Sequence, residues 1–435
     1  LRDNIGRKLY SFPLGRCTVE RLHVTPSESA QDSHQIHILL TGPYIISASS
    51  RPSTSPWICL SGPGSWGLSH KLHCPTVHSG LYHITALAQD QSLPSASHTR
   101  IAAFLHNGEL YIFHVDHSNP ASSRLEMTHS PVRRFARTSS ISQAVYHHPI
   151  LVALSESFNL SIYDLSSGSV RHSQTLTSFT SYPPTSLVLS APAPDMYKLI
   201  LTYSVPVYPR HWSVGVTELV ISGPSLGSNA VTSKLSLSPL PHQSSIAQPM
   251  CVASTRSTRA VDIPQGWMDE NKLRYMQEQW SRKVARVSDT QTDGKWVILA
   301  PADPAIFTGS SSSPDTSVSN SNPMQLYSPT SLQLYRLSLP SPSPSVSAPR
   351  PRLTFIRNLH GHSGPVSSIA VADGRCVSLG IDGSIWVWDL EAGTSTEVSG
   401  LNSENAHVVS GAVVFDERRI VTARGGDIMI RRFDM

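Results

Sequence analysis

The chain has 435 residues, 39% of them hydrophobic and only 15% charged, with a formal net charge of +4. So small a charge over this length argues against nucleic acid as the main partner. The five widely spaced cysteines, with no CxxC, exclude a disulfide framework or a zinc site and fit a reducing compartment.

No apolar run reaches the ~18–20 residues that cross a membrane, and no signal peptide opens the chain. It starts at Leu1 rather than Met and reads as a piece of a longer protein. RCTVERLHV (16–24) is the first strand-like run, and IHILLTGPYIISASS with PWICLSG (36–62) supplies three more. GPGSWG (62–67) matches GxGxxG as a string. The next residues, LSHKLHCP, do not open a helix, so it reads as a loop rather than a dinucleotide site. His78-Ser79-Gly80 leads into RIAAFLHNGELYIFHV (100–115), where Asn107-Gly108 marks a tight hairpin. VRRFAR (132–137) is a short basic loop. LVALSESFNLSIYDLSSG (151–168) and SLVLSAPAPDMYKLILTYSV with SVGVTELVI (186–221) repeat the same grammar of short strands and turns.

The spacing then breaks. Strands near MCVAST (250–255), KWVILAP (295–301) and SLQLYRLSL (331–339) read as one unit that carries an insertion over 256–330. Within it, Leu273, Met276, Trp280, Val284 and Val287 share one face, which predicts a helix over 268–287. Asp269 and Glu270 lie near its start and Arg282, Lys283 and Arg286 near its end, as the helix dipole prefers. Lys272, Arg274, Arg282, Lys283 and Arg286 form the candidate partner-binding set; a merely solvated basic face is the plainer reading. Residues 308–330 have almost nothing to bury and read as a disordered loop, and 340–352 as a Pro/Ser linker between units. Ser313-Pro314, Ser341-Pro342 and Ser343-Pro344 are candidate sites for proline-directed phosphorylation or plain solvated linker.

HGHSGPVSSIAVADGRCVSLGIDGSIWVWDL (360–390) is the clearest unit. Its part 375–390 aligns without a gap on 100–115, and 376–393 aligns on 151–168. AHVVSGAVVFDERRIVTARGGDIMIRRFD (406–434) fits with small insertions. Third strands are expected to end near 60, 115, 165, 221, 339, 390 and 434, which makes seven units.

Gly361-His362, Asp382-Gly383 and Trp388-Asp389 carry a family likeness: the chain resembles the WD-repeat family. The resemblance implies an all-β fold, a seven-bladed β-propeller forming a single domain over 1–435. It also implies a buried hydrogen-bond chain through His362, Ser378, Asp382 and Trp388. In the last unit the equivalents are His407, Thr422 and Asp427, with Phe433, which has no N–H to give, in the Trp place. The chain ends right after a third strand, so 16–24 is expected to supply the missing outer strand and close the ring. His362, Ser378 and Asp382 mimic a catalytic triad, but their spacing is that of the blade's internal staple. No catalytic residue, metal ligand or cofactor is expected.

By resemblance the chain is a non-enzymatic protein–protein interaction scaffold that binds peptides or domains on a propeller face. It is similar to the propeller part of a fungal-type F-box/WD-repeat protein, and so to the substrate-recognition subunit of a ubiquitin ligase. The ligase core would be reached through an N-terminal segment outside these residues. Such a protein works inside the cell, in cytoplasm or nucleus. The alternative is a propeller-fold hydrolase, which needs acids and histidines converging at the central channel.

Overall fold

A computed structural model describes residues 17–23, 34–62, 69–76, 79–92, 97–131, 139–223, 250–261, 266–302, 330–340, 351–399, 411–424 and 426–433. His78, VRRFAR, His407, all but the first residue of GPGSWG, and the Ser-Pro sites lie outside them.

After β1 (Cys17–His23), the strands group in fours along the chain. Blade 1 is β2 (Ile36–Thr41), β3 (Tyr44–Ser49), β4 (Trp57–Ser61) and β5 (His70–His73). Blade 2 is β6 (Ile84–Gln89), β7 (His98–Leu105), β8 (Leu110–Asp116) and β9 (Arg124–His129). Blade 3 is β10 (Ile141–His147), β11 (Ile150–Ser155), β12 (Asn159–Asp164) and β13 (Arg171–Thr177). Blade 4 is β14 (Tyr182–Ala193), β15 (Met196–Val207), β16 (His211–Ser222) and β17 (Cys251–Arg259). The helix α1 (Glu270–Ser281) follows. Blade 5 is β18 (Val287–Thr292), β19 (Trp296–Pro301), β20 (Leu332–Ser338) and β21 (Arg352–Leu359). Blade 6 is β22 (Val366–Ala372), β23 (Arg375–Gly380), β24 (Ile385–Asp389) and β25 (Ser395–Ser399). Blade 7 is β26 (Gly411–Phe415), β27 (Arg419–Arg424) and β28 (Asp427–Phe433), with β1 as its fourth strand.

The first strands of successive blades touch one another all the way round, β26 meeting β2, so seven antiparallel sheets form a closed propeller. The third strands end at 61, 116, 164, 222, 338, 389 and 433, each within one residue of its expected place. Turn chemistry explains this agreement. Gly108 and Gly383 sit at φ 83° and 88°, a region that glycine enters without penalty, and so fix the hairpins they close.

The core is divided among the seams. Each of seven apolar clusters joins one pair of neighbouring blades. In β23, Cys376 faces blade 5 while Val377 and Leu379 face blade 7. Period-2 alternation therefore buries both faces of a second strand, and β11 and β19 are buried throughout. Among the described residues the seam between blades 3 and 4 holds sixteen buried apolar residues, and each seam flanking blade 7 only seven.

Polar clamps reinforce those thin seams. β1 pairs with β28 from Cys17↔Phe433 to His23↔Asp427, so the N-terminal strand closes the ring. Arg419, only 7% exposed, donates to the carbonyls of Gly42 (2.6 Å) and Pro43 (3.0 Å) in blade 1 while Asp416 holds its guanidinium. On the other side Arg424 Nη2 donates to Ile381 O at 2.7 Å.

Three sequence expectations are corrected. The 256–330 region is not one insertion within one blade: 256–259 finishes β17, α1 connects blades 4 and 5, and β18 and β19 open blade 5. The MCVAST strand is accordingly the outer strand of blade 4, displaced by a long connection from Ser222 to Cys251. The 340–352 linker does not separate blades; it joins β20 to β21 inside blade 5. The helix stops at Ser281 rather than 287, because Val284 pairs with Trp212 and Val287 begins β18. Tertiary pairing overrides a helical spacing there.

Candidate functional site

In blade 6 the residues His362, Ser378, Asp382 and Trp388 come together. His362 Nε2 lies 2.6 Å from Ser378 Oγ, and Trp388 Nε1 donates to the same oxygen at 2.9 Å. His362 Nδ1 meets Ser384 Oγ at 3.0 Å, and Ser384 in turn donates to Asp382 Oδ1 at 2.7 Å. Asp382 thus reaches the imidazole through Ser384, a residue that the sequence reading did not single out. The backbone requires Gly361 before the histidine, since a Cβ there would stand 2.8 Å from the Trp386 ring.

His362 is buried and Ser378 fully so. Burial lowers the imidazole pKa to about 4 despite nearby Asp382, which keeps it neutral. Burial pushes the Asp382 carboxyl up, but hydrogen bonds from Ser384 and Ser363 win and hold it below its usual range. A serine with no exposed surface, already bonded to an imidazole and an indole, has no room for a substrate carbonyl. The constellation can brace a blade.

Blade 7 modifies the same device. Ile420 pairs with Arg431 as Cys376 pairs with Trp388, so Arg431, not Phe433, takes the indole's place. Arg431 is buried, its pKa is lowered by burial, and its Nη1 donates to Thr422 Oγ1 at 3.5 Å. Asp427 opens β28 opposite Arg424 and His23. The expectation that Phe433 leaves this unit without a donor is therefore corrected: the register slips by two, and a guanidinium supplies the N–H.

The predicted basic set is not one helical face. Lys272 and Arg274 are on α1, while Arg282, Lys283 and Arg286 lie beyond its end. Asp269 caps the helix by accepting from Lys272 N at 2.8 Å, and Lys272 Nζ donates to Trp267 O. The Arg282 guanidinium lies 4.6 Å over the Phe355 ring and Lys283 5.2 Å over Trp280. Arg274 and Arg286 are exposed.

The topology places this segment on a definite rim. Second-to-third-strand turns and blade-to-blade connections share one rim of the ring; α1 is such a connection and 208–210 is such a turn. Trp212 and Val284 exchange backbone hydrogen bonds at 2.7 and 2.9 Å, which ties the end of the α1 segment to the blade 4 hairpin. Tyr182 meets Trp212 edge-on at 5.5 Å. Ten large apolar side chains are exposed among the described residues, and seven of them belong to this sector: Phe179, Tyr182, Tyr208, Trp267, Met268, Leu273 and Tyr275. Such a concentration is unusual, because exposed apolar residues normally scatter singly. The sequence reading missed Tyr208 and Phe179; the prolines of PVYPRHW (206–212) were the available sign of a projecting turn.

A family model described as "F-box protein pof12 beta-propeller" matches residues 70–414. Among curated proteins none matches the chain. Among solved structures, the Cps50 (Swd1) β-propeller domain of Myceliophteria thermophila is 9% identical over 91% of this chain and 99% of its own, with a TM-score of 0.44. The WD40 β-propeller domain of Doa1 is 9% identical over 96% and 98%, with a TM-score of 0.43. BamB from Moraxella catarrhalis is 10% identical over 91% and 96%, with a TM-score of 0.40.

Proposed function

The chain belongs to the F-box protein pof12 β-propeller family, and from that premise we propose that it is a non-enzymatic interaction platform, the substrate-recognition part of an F-box-type ubiquitin ligase. The observation that carries this reading is the clustering of exposed aromatic and basic side chains on one rim beside α1. A rigid ring that displays aromatic anchors on its loops is suited to hold a partner protein or peptide. The ligase core would be engaged by an F-box supplied outside residues 1–435, and the site of action is cytoplasm or nucleus. Lys272, Arg274, Arg282, Lys283 and Arg286 join the aromatics at the binding rim.

The test is affinity capture with the chain, native against a form in which residues 267–281 are replaced by a flexible linker. The platform reading expects specific proteins on the native ring and their loss from the altered one. Co-purification with a ligase core, using the chain with its native upstream sequence, tests the ubiquitin-ligase role. A native ring that captures nothing contradicts the platform.

A further inference from the structure

The rim beside α1 is polarised in charge. Residues 207–212 and 280–286 bring Arg210, Arg282, Lys283 and Arg286 close to the Trp212–Val284 junction, and neither stretch contains a carboxylate. The 178–185 stretch leading to Tyr182 has none either. The acids of the segment sit on α1 itself, where Asp269 is already committed to the helix N-terminus. The positive field is felt locally: burial lowers the His211 pKa, and Lys283 lowers it further. Beside Arg210, Tyr208 is 81% exposed on the projecting hairpin, and at the other end of α1 Trp267 is 86% exposed.

We propose that this ridge, from the Tyr208–Arg210 hairpin across to Lys283 and Trp267, binds an acidic peptide segment of a partner protein that also carries aromatic or apolar side chains. The assignment rests on the platform reading and adds the chemistry of the partner. A ridge whose own stretches are cationic attracts a segment rich in Asp and Glu, and the exposed rings give its apolar side chains something to cover. Single-stranded nucleic acid is the weaker fit, because a net charge of only +4 over the chain supplies little of the positive field that a phosphate backbone needs.

The test is fluorescence titration of the whole chain with a random poly(Glu,Tyr) copolymer, poly-Glu and oligo-U RNA. The copolymer should bind best and weaken as salt rises. The exposed-site variant Arg210→Glu and the pair Tyr208→Ala/Trp267→Ala should each lose roughly tenfold or more in affinity while melting like the native chain. Undiminished binding by these variants, equal binding of poly-Glu, or preference for oligo-U would overturn the proposal. Should the native chain ignore the copolymer yet still capture protein partners, the acidic-ligand assignment is wrong and the platform stands. Should it capture no protein at all, both fall together.

Discussion

Blade 6 and the sector of blades 4 and 5 are built from the same four-stranded unit and differ in where they place polar and aromatic groups. Blade 6 turns them inward: His362, Ser378, Ser384, Asp382 and Trp388 satisfy one another in a buried chain. The other sector turns them outward, on a twelve-residue-strand hairpin and a helix whose Leu273 and Tyr275 remain exposed. Its own seam is held by an apolar cluster that includes Val214, Val216, Val284 and Val297. The lesson is a division of labour. A regular blade uses its polar residues to specify the fold, and an irregular one leaves polar and aromatic groups at the surface, where the proposed contact with a partner would be made.

That division can be broken or sharpened experimentally, starting with the largest effect. Removing residues 1–24 takes away β1 and exposes the β28 edge, so the ring should lose its single cooperative melt; an unchanged transition in calorimetry would contradict closure by the N-terminal strand. Arg419→Ala should cost about 2–4 kcal/mol in chemical denaturation, since it removes charge-assisted hydrogen bonds to two blade 1 carbonyls at a thin seam. Trp388→Phe should cost about 1–3 kcal/mol by removing the indole N–H from Ser378. Tyr208→Ala should move stability by less than about 0.5 kcal/mol, because the ring is exposed.

A pH series separates two titratable groups. Burial lowers the His362 pKa to about 4, so its stability contribution is complete above about 6.5, the unfolded value, and is lost as pH falls towards 4. Asp289 behaves oppositely. Densely surrounded on β18, its carboxyl accepts from Ile369 N at 2.8 Å and burial pushes its pKa up to about 7. Its folded form keeps a proton that the unfolded chain releases near pH ~4, so stability falls as pH rises from ~4 through about 7. Between pH 6.5 and 8 the native chain should lose stability while Asp289→Asn stays flat. Parallel curves for the two would rule out Asp289 as the source.

The ring was legible in the sequence because Asn107-Gly108 and Asp382-Gly383 punctuate period-2 runs, which pins third strands closely. The staple was legible through the resemblance to WD repeats, which marked His362, Ser378, Asp382 and Trp388 but not Ser384. Two features were masked by mimicry. Phe433-Asp434 resembles Trp388-Asp389 as a string, yet strand register gives Arg431 the structural position. Val284 and Val287 continue a helical spacing but serve strand pairing. The rim surface was least visible, because an aromatic residue in a sequence reads as core until the fold shows Tyr208 on a projecting turn and Trp267 in the open.

The most direct test of the division between brace and contact surface is the affinity of the poly(Glu,Tyr) copolymer for two folded variants, Trp388→Phe and Tyr208→Ala/Trp267→Ala, measured at a temperature well below either melt. The account predicts native affinity for the first and a loss of roughly tenfold or more for the second. A weakened Trp388→Phe beside an unimpaired rim variant would contradict it.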